Sequence, residues 1–386
     1  MTPELRQEAV EEALVEIILG LKEEPAFSGG IQPPFAIDGE GKPAARAGVA
    51  NCSLGYDLWQ GLRNPAVAGL HPAGLEEIWE YYAHNMASGM GRSGRKSIFK
   101  VPEPYASARQ RFNRAVVMSV MLPVADRLTK TYYQLIEKGS PAPWEGFRPA
   151  MDQLGQLIDL SVARLAYRLM SPTRVVLPLN GQVVAALSQE TIPPSRSGDS
   201  HGACKGGHFS HKSVAALTGL GQFGAHRLIM RDEMEEGNVV RYLGPIRSLV
   251  LFDAEEPSEG EGLRLLSRDW QESLMDLQKG DRPESRICQR FSPDPSKRCS
   301  ACLRACPTGA IPSSAPGPDG SYLPAIQKQK HRFWEGHLQF DFNRCAEGTS
   351  KPARIYGDWV CARCLVACAA AGKRSSQAAE RFLTGT

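Results

Sequence analysis

Two copies of one cysteine pattern lie in the C-terminal part of the chain, and they constrain its fold more than any other feature. Each copy has the spacing C-x2-C-x3-C and is preceded by one more distant cysteine. The first copy with its upstream residue is Cys288, Cys299, Cys302 and Cys306, and the second is Cys345, Cys361, Cys364 and Cys368. Eight of the 10 cysteines therefore fall between residues 288 and 368.

Eight thiolates are the number of ligands that two 4Fe–4S clusters require, with four for each cluster. The C-x2-C turn directs two sulfurs to one metal centre. The third cysteine of each run then begins a helix and reaches the other cluster, as in two-cluster ferredoxins. We therefore predict one cluster bound by Cys288, Cys299, Cys302 and Cys368. The other is predicted to be bound by Cys306, Cys345, Cys361 and Cys364.

Zinc and free thiols are the alternatives to iron–sulfur clusters. Zinc sites favour paired C-x2-C knuckles or mixed Cys and His ligands, which the C-x3-C extensions do not match. Cys288 is the least secure ligand, because Ser296 stands where a bacterial run places its first cysteine. Cys52 and Cys204 stand apart and are interpreted as ordinary cysteines.

Composition limits the classes of function that remain. A length of 386 residues suits two domains, and 42% hydrophobic with 23% charged residues is ordinary for a globular protein. The net charge of +3, from 45 basic and 42 acidic residues, gives no electrostatic reason to expect nucleic acid or an anionic membrane as a partner. No apolar run reaches the length of about 18 residues that a membrane span needs. The acidic N-terminal stretch lacks the basic start of a secretory signal, so a cytoplasmic location is expected.

Hydrophobic periodicity predicts a mixture of helices and strands. Helices are predicted over 4–22, 74–88, 126–138, 151–170 and 210–218. Strands are predicted over 114–122, 175–177 and 247–252, and loops over 27–57 and 188–210. The sequence therefore predicts an α+β protein.

The segment Gly219-Leu-Gly221-Gln-Phe-Gly224 matches the G-x-G-x-x-G pattern of dinucleotide sites. That function requires a strand before the glycines and a helix after them. Here the preceding residues, 210–218, have helical spacing. A helix C-cap followed by a turn is the alternative, and the position of the segment decides between this and a nicotinamide-linked oxidoreductase.

Taken together, three segments resemble a known family. They are SHKSVAALTGLGQFGAHRLIM at 210–230, RYLGPIRSLVLFD at 241–253 and the double-cluster module. In this order they are similar to the cobalamin-dependent iron–sulfur reductases, a family that comprises epoxyqueuosine reductases and reductive dehalogenases. The resemblance covers roughly residues 110–370.

The resemblance implies a division of the chain into three parts. A helical and loop region over 1–109 would precede a nitroreductase-like, cobalamin-binding α/β domain over 110–284. A ferredoxin-like domain with two 4Fe–4S clusters and a polar tail would follow over 285–386. The residues that would line the corrinoid by position are Gly219, Leu220, Gly221, Gly224, Gly244 and Arg247.

The implied activity is the reduction of a small organic substrate at cobalt. A ferredoxin or flavodoxin would supply electrons through the two clusters, and a nearby acid would supply a proton. We favour His211 and Asp199 as proton donors. Other candidates are His201, His208, Tyr105, Tyr132, Tyr133 and Tyr242. The alternative function is that of a ferredoxin-like electron carrier with no corrinoid and no substrate chemistry of its own.

The chain also differs from both branches of the family. It lacks the twin-arginine leader of respiratory dehalogenases, and Ser296 interrupts the cysteine run of epoxyqueuosine reductases. We therefore expect a divergent cytoplasmic relative whose substrate is neither a halide nor a modified transfer RNA.

Overall fold

The structure is a computed structural model, and its described part excludes several long segments. It describes residues 5–22, 34–54, 75–82, 103–137, 144–179, 211–256 without 225, 227, 236 and 237, 264–265, 288, 299–306, 309, 311 and 363–372. Within these ranges the helices are α1 Gln7–Lys22, α2 Leu75–Tyr81, α3 Tyr105–Arg111, α4 Asp126–Glu137, α5 Trp144–Leu169, α6 His211–Leu217, α7 Ala301–Ala305 and α8 Arg363–Gly372. The strands are β1 Arg46–Ser53, β2 Arg114–Met121, β3 Arg174–Leu179, β4 Gln222–Phe223, β5 Ile229–Glu235, β6 Asn238–Tyr242, β7 Ile246–Asp253 and β8 Arg264–Leu265.

The strands form two sheets, and the protein is of mixed α+β type. The larger sheet has five strands in the order β3-β7-β2-β1-β8. Adjacent strands in this sheet are antiparallel, except that the short β8 runs parallel to β1. The smaller sheet has three antiparallel strands in the order β4-β5-β6.

Strands β2 and β7 form the centre of the larger sheet because both of their faces are apolar. Successive side chains of a strand point to opposite faces. Val116 is in register with Leu251 of β7, and both face the hydrophobic core on one side. The next residue, Val117, is in register with Val250, and both face a second core on the other side.

Helices cover both faces of the larger sheet. Side chains of α1 and α5 pack in the first core, whereas α2, α3 and α6 contribute to the second. The first core also contains buried residues of α7 and α8, including Cys302 and Val366. The cysteine-bearing helices are therefore built onto the same core as α1 and α5.

A buried ion-paired triad fixes the register of three strands. Asp253 on β7 is fully buried and lies in register with Arg114 on β2 and Arg174 on β3. Its Oδ2 accepts hydrogen bonds from Arg114 Nη2 at 3.2 Å and from Arg174 Nε at 3.1 Å. A slip of one residue would separate these charges inside the protein, where an unpaired charge is costly.

Most of the predicted elements are confirmed, with shifts at their ends. The helices α1, α4 and α6 and the strands β2, β3 and β7 occur where the sequence predicts them, and α5 begins earlier, at Trp144. The prediction of a loop over 27–57 is wrong for 46–53, which form β1. Because β1 pairs with β2, the predicted N-terminal region contributes a strand to the sheet of the next region. The predicted loop over 188–210 lies outside the described residues.

None of the described helices is both long enough and apolar enough to cross a membrane.

Replacing Asp253 with Asn should destabilise the protein strongly. The change removes the buried carboxylate that Arg114 and Arg174 share, although Arg174 keeps a contact with Glu255 at 3.5 Å. Breaking a buried ion pair typically costs about 3–5 kcal/mol. The shift of the urea unfolding midpoint, followed by circular dichroism, measures this effect. The matched control is Glu16→Gln, because Glu16 forms an ion pair with Arg168 on the surface. Loss of that pair should lower the free energy of unfolding by less than about 1 kcal/mol. Equal midpoints for the two variants would contradict the role of the triad.

Candidate functional site

Helices α7 and α8 carry the cysteines that the structure describes in each run. Cys302 is buried within α7, and Cys306 is its C-cap. In α8, Cys364 and Cys368 are four residues apart and therefore lie on the same helix face. The two helices pack against each other, so thiols from both runs face a shared space.

Cys302 lies at the meeting point of the two runs. The thiols of Cys368, Cys288, Cys364 and Cys299 all act electrostatically on it. This group contains all four residues predicted to bind the first cluster, together with Cys364, which was assigned to the second. Cys345 and Cys361, also predicted ligands, lie outside the described residues, so the second predicted set is only partly visible.

The environment of these thiols opposes ionisation. Burial raises the pKa of Cys302, and its neighbouring thiols raise it further. Burial also raises the pKa of Cys368 to about 12, although Arg241 acts in the opposite direction. Reactive cysteines have lowered pKa values, so these residues do not resemble nucleophiles. Bound metal can hold such thiols as thiolates, since coordination displaces their protons.

The described groups that act on Cys302 are all sulfur donors. Those that raise its pKa beyond the effect of burial are thiols, with no imidazole or carboxylate among them. Thiolates are the ligands of iron–sulfur clusters and also occur in zinc sites. In the described part of the chain, no three His, Cys, Asp or Glu side chains lie close enough to hold a single metal ion.

Cys368 is also a contact between the cysteine helices and the smaller sheet. Its Sγ lies 3.2 Å from Sδ of Met230 on β5. The guanidinium of Arg241 on β6 approaches the same sulfur, with Nη1 at 3.9 Å. Arg241 is in turn held by Asp232, its cross-strand partner, through Nε at 2.8 Å and Nη2 at 2.7 Å.

The glycine segment ends a helix and leads into a strand. Gly219 has a φ of +77°, and its N–H donates to the carbonyl of Ala216 at 3.2 Å. The N–H of Leu220 donates to the carbonyl of Ala215 at 2.9 Å, which completes a Schellman C-cap of α6. The helix precedes the glycines, and β4 lies within the run, between Gly221 and Gly224. The interpretation as a C-cap is confirmed, and the segment lacks the order of a dinucleotide site.

The three later glycines predicted to line a corrinoid pack against the protein itself. A Cβ on Gly221 would collide with the carbonyl oxygen of Met230 and lie 2.7 Å from Cγ2 of Ile229. A Cβ on Gly224 would lie 2.7 Å from the ring of His226, and one on Gly244 would collide with the backbone of Leu122. These glycines allow neighbouring parts of the fold to approach closely.

The other predicted corrinoid residues are also engaged within the fold. Gly219 forms the C-cap, and Leu220 is completely buried in an apolar cluster. Arg247 pairs with Asp159, with Nε 2.5 Å from Oδ1. Gly219 is nevertheless exposed, and Gly221, Gly244 and Arg247 are only partly buried, so the assignment of the six residues to a corrinoid site stays a prediction.

His211 is half-buried and contacts the central strand β7 through Ser248. Its Nδ1 lies 3.0 Å from Oγ of Ser248, which in turn lies 3.4 Å from Oγ of Ser119. Burial, with a contribution from Arg247, lowers the pKa of His211 to about 3. The ring is therefore neutral at pH 7 and carries no imidazolium proton. Its role as a proton donor stays a prediction, and the other favoured donor, Asp199, lies outside the described residues.

Sequence reasoning did not single out the residues that contact Cys368. Arg241 and Met230 lie inside the two quoted family segments, but neither was assigned a role. The sequence offers one signal for the position of Arg241: its charge is opposite to that of Asp232, which suggests that the two form a cross-strand pair. The sulfur contact has no such signal, since Cys368 is 127 positions from Arg241 in the chain.

Comparison with known proteins gives no match: no family model fits the chain, and no curated protein or solved structure is detectably similar to it. The resemblance to cobalamin-dependent reductases therefore depends on the sequence motifs alone.

Replacing Gly221 with Ala should destabilise the protein in the absence of any cofactor. The added methyl group meets backbone atoms of β5, and such overpacking typically costs about 1–3 kcal/mol. The control is Gly155→Ala in the middle of α5, where a Cβ meets nothing within 4 Å and the change should stabilise by up to about 1 kcal/mol. Thermal unfolding midpoints measure both changes. If the Gly221 variant were as stable as the unmodified protein, the space beside the glycine would be open, as a cofactor cradle requires.

Proposed function

We propose that the protein is an iron–sulfur oxidoreductase. It would take electrons from a ferredoxin or flavodoxin through two 4Fe–4S clusters held by its C-terminal cysteines. It would deliver them to an acceptor on the α+β part of the chain. The convergence of both cysteine runs on Cys302 is the observation that carries this proposal.

The convergence supports the exchange of ligands that two-cluster ferredoxins use. In that arrangement the last cysteine of one run binds the cluster of the other run. Cys368 is the last cysteine of the second run, and it acts on Cys302 of the first. Cys288 acts on both of them, which supports its assignment as the fourth ligand despite its distance along the chain.

In this proposal, residues of the C-terminal helices would bind one cluster and shield it from water. Cys288, Cys299, Cys302 and Cys368 would hold one cluster, and buried residues of α7 and α8 would exclude water from it. When bound, a 4Fe–4S cluster supplies one-electron transfer at a potential set by its surroundings. Cys368 and Met230 provide a direct sulfur contact towards the smaller sheet.

The finer description of the fold belongs to the same proposal. A predominantly antiparallel sheet with helices on both faces supports a nitroreductase-like type for the α+β part. The paired cysteine helices α7 and α8 support a ferredoxin-like type for the C-terminal part. The proposal includes a cytoplasmic location. The described cysteines are free thiols, and a reducing compartment such as the cytoplasm keeps thiols reduced.

The acceptor distinguishes two forms of the proposal. By the resemblance it is cobalamin, which would reduce a small organic substrate, although the space beside Gly221, Gly224 and Gly244 is filled by neighbouring parts of the fold. The packing of Gly221 and Gly244 against backbone favours the second form, an electron carrier with no corrinoid and no substrate chemistry of its own.

Anaerobic purification with analysis of iron and cobalt tests the proposal and separates its two forms. Two clusters predict about eight irons per chain. Corrinoid absorbance that survives desalting after incubation with cobalamin would support the first form, and iron without retained corrinoid would support the second. Iron-free protein after anaerobic reconstitution with iron and sulfide would refute both.

Replacing Cys302 or Cys364 with Ser should remove about one cluster each, because each change deletes a thiolate ligand. Iron per chain and the intensity of the visible absorbance measure the loss. Cys52→Ala is the matched control, since Cys52 is also buried but lies in the core on the other face of the sheet. The control should retain all of its iron. Unchanged iron in both serine variants would contradict the assignment of these ligands.

A further inference from the structure

We propose that Arg241 raises the reduction potential of the cluster that Cys368 binds, and that Asp232 positions it for this task. This inference rests on the proposed function, because it requires a cluster at Cys368. It assigns a role to two residues of the smaller sheet that supply no ligand to the cluster.

The geometry of the guanidinium directs one N–H group towards the sulfur. Asp232 accepts hydrogen bonds from Nε and Nη2 of Arg241 in a bidentate arrangement. This fork fixes the plane of the group, as bidentate carboxylates generally do. The remaining nitrogen, Nη1, is the one that reaches Cys368, at 3.9 Å.

The fold holds this arrangement in place from both sides. Asp232 and Arg241 are directly opposite each other on β5 and β6. Helix α8, which carries Cys368, packs against β6. The side chain of Arg241 is only 7% exposed, so water screens its charge little. A buried arginine at this distance from a sulfur therefore acts on it strongly.

The sign of the effect follows from the charge change on reduction. Reduction adds one electron to the cluster and its thiolate ligands, and no bond is made or broken. A nearby positive charge and an N–H donor stabilise the more negative form, so the potential rises. The carboxylate of Asp232 offsets part of this effect. It binds the opposite side of the guanidinium from Nη1, which leaves the positive group nearer the sulfur.

The chain offers a matched control for the loss of an arginine. Arg46 on β1 forms a bidentate pair with Glu233, with Nε at 2.8 Å and Nη2 at 2.6 Å. It also lies over the ring of Tyr242, 4.6 Å from its centroid. Arg46 thus contacts the same two strands through a similar ion pair, with Glu233 and the ring of Tyr242 where Arg241 has Asp232 and Cys368. Replacing it changes the net charge of the protein by the same amount.

The test is a redox titration with dithionite, monitored by electron paramagnetic resonance, on the full chain with reconstituted clusters. It compares Arg241→Met, Arg241→Lys and Arg46→Met with the unmodified protein. We expect the Met variant at 241 to lower the potential of one cluster and leave the other unchanged. The Lys variant should show a smaller shift, because it keeps the charge but loses the fork. Arg46→Met should shift neither potential.

The outcomes distinguish this inference from the proposed function. Unmodified protein that binds no iron would refute the proposed function, and the inference with it. Iron-loaded variants at 241 with unchanged potentials would refute the inference alone. Iron content and thermal unfolding are measured for each variant. If both variants at 241 lost iron while Arg46→Met retained it, Arg241 would be structural, and the inference would also be wrong.

Discussion

Burying several thiols in one apolar space is the constraint on which the C-terminal part of the structure depends. Cys302 and Cys368 lie among Leu365, Val366 and other apolar residues, and burial together with neighbouring thiols raises the pKa of both. Thiolates in such a place lose their hydration and repel one another. A positively charged metal centre offsets both costs. The packing of α7 against α8, and of both on the core of α1 and α5, should therefore be coupled to metal binding.

The smaller sheet connects this centre with the rest of the molecule, and glycines make the connection possible. Gly221 lets the backbone of Met230 approach the end of α6, and the side chain of Met230 then reaches Cys368. Gly48 on β1 plays a comparable role, because a Cβ there would lie 2.6 Å from the backbone nitrogen of Leu220. These close approaches bring β5 against the end of α6, and they bring the turn after α6 against β1. The position of Cys368 thus depends on packing far from the cysteine runs.

The sequence predicts the parts of the fold that have strong local signals. The apolar runs of β2 and β7 identify the centre of the sheet. The cysteine spacing predicts that Cys368 joins the ligands of the first run; this stays a prediction, and Cys368 lies close enough to Cys302 to act on it electrostatically. Strand β1 escapes prediction because its sequence, RAGVANCS, has few residues with strand propensity. Its conformation is set by pairing with β2. The contact of Arg241 with Cys368 escapes prediction for a similar reason, since it exists only once three elements have packed together.

The glycine segment illustrates how one pattern serves different structures. A G-x-G-x-x-G run indicates that something approaches the backbone closely, but the run alone does not identify what approaches. In this chain the approaching group is Met230 of β5, and the same residue contacts the sulfur of Cys368. An acceptor that takes electrons from a cluster bound by Cys368 would therefore have to reach the neighbourhood of β5 and β6 without displacing Met230. That requirement favours an acceptor that binds beside the glycine segment over one that binds directly on it.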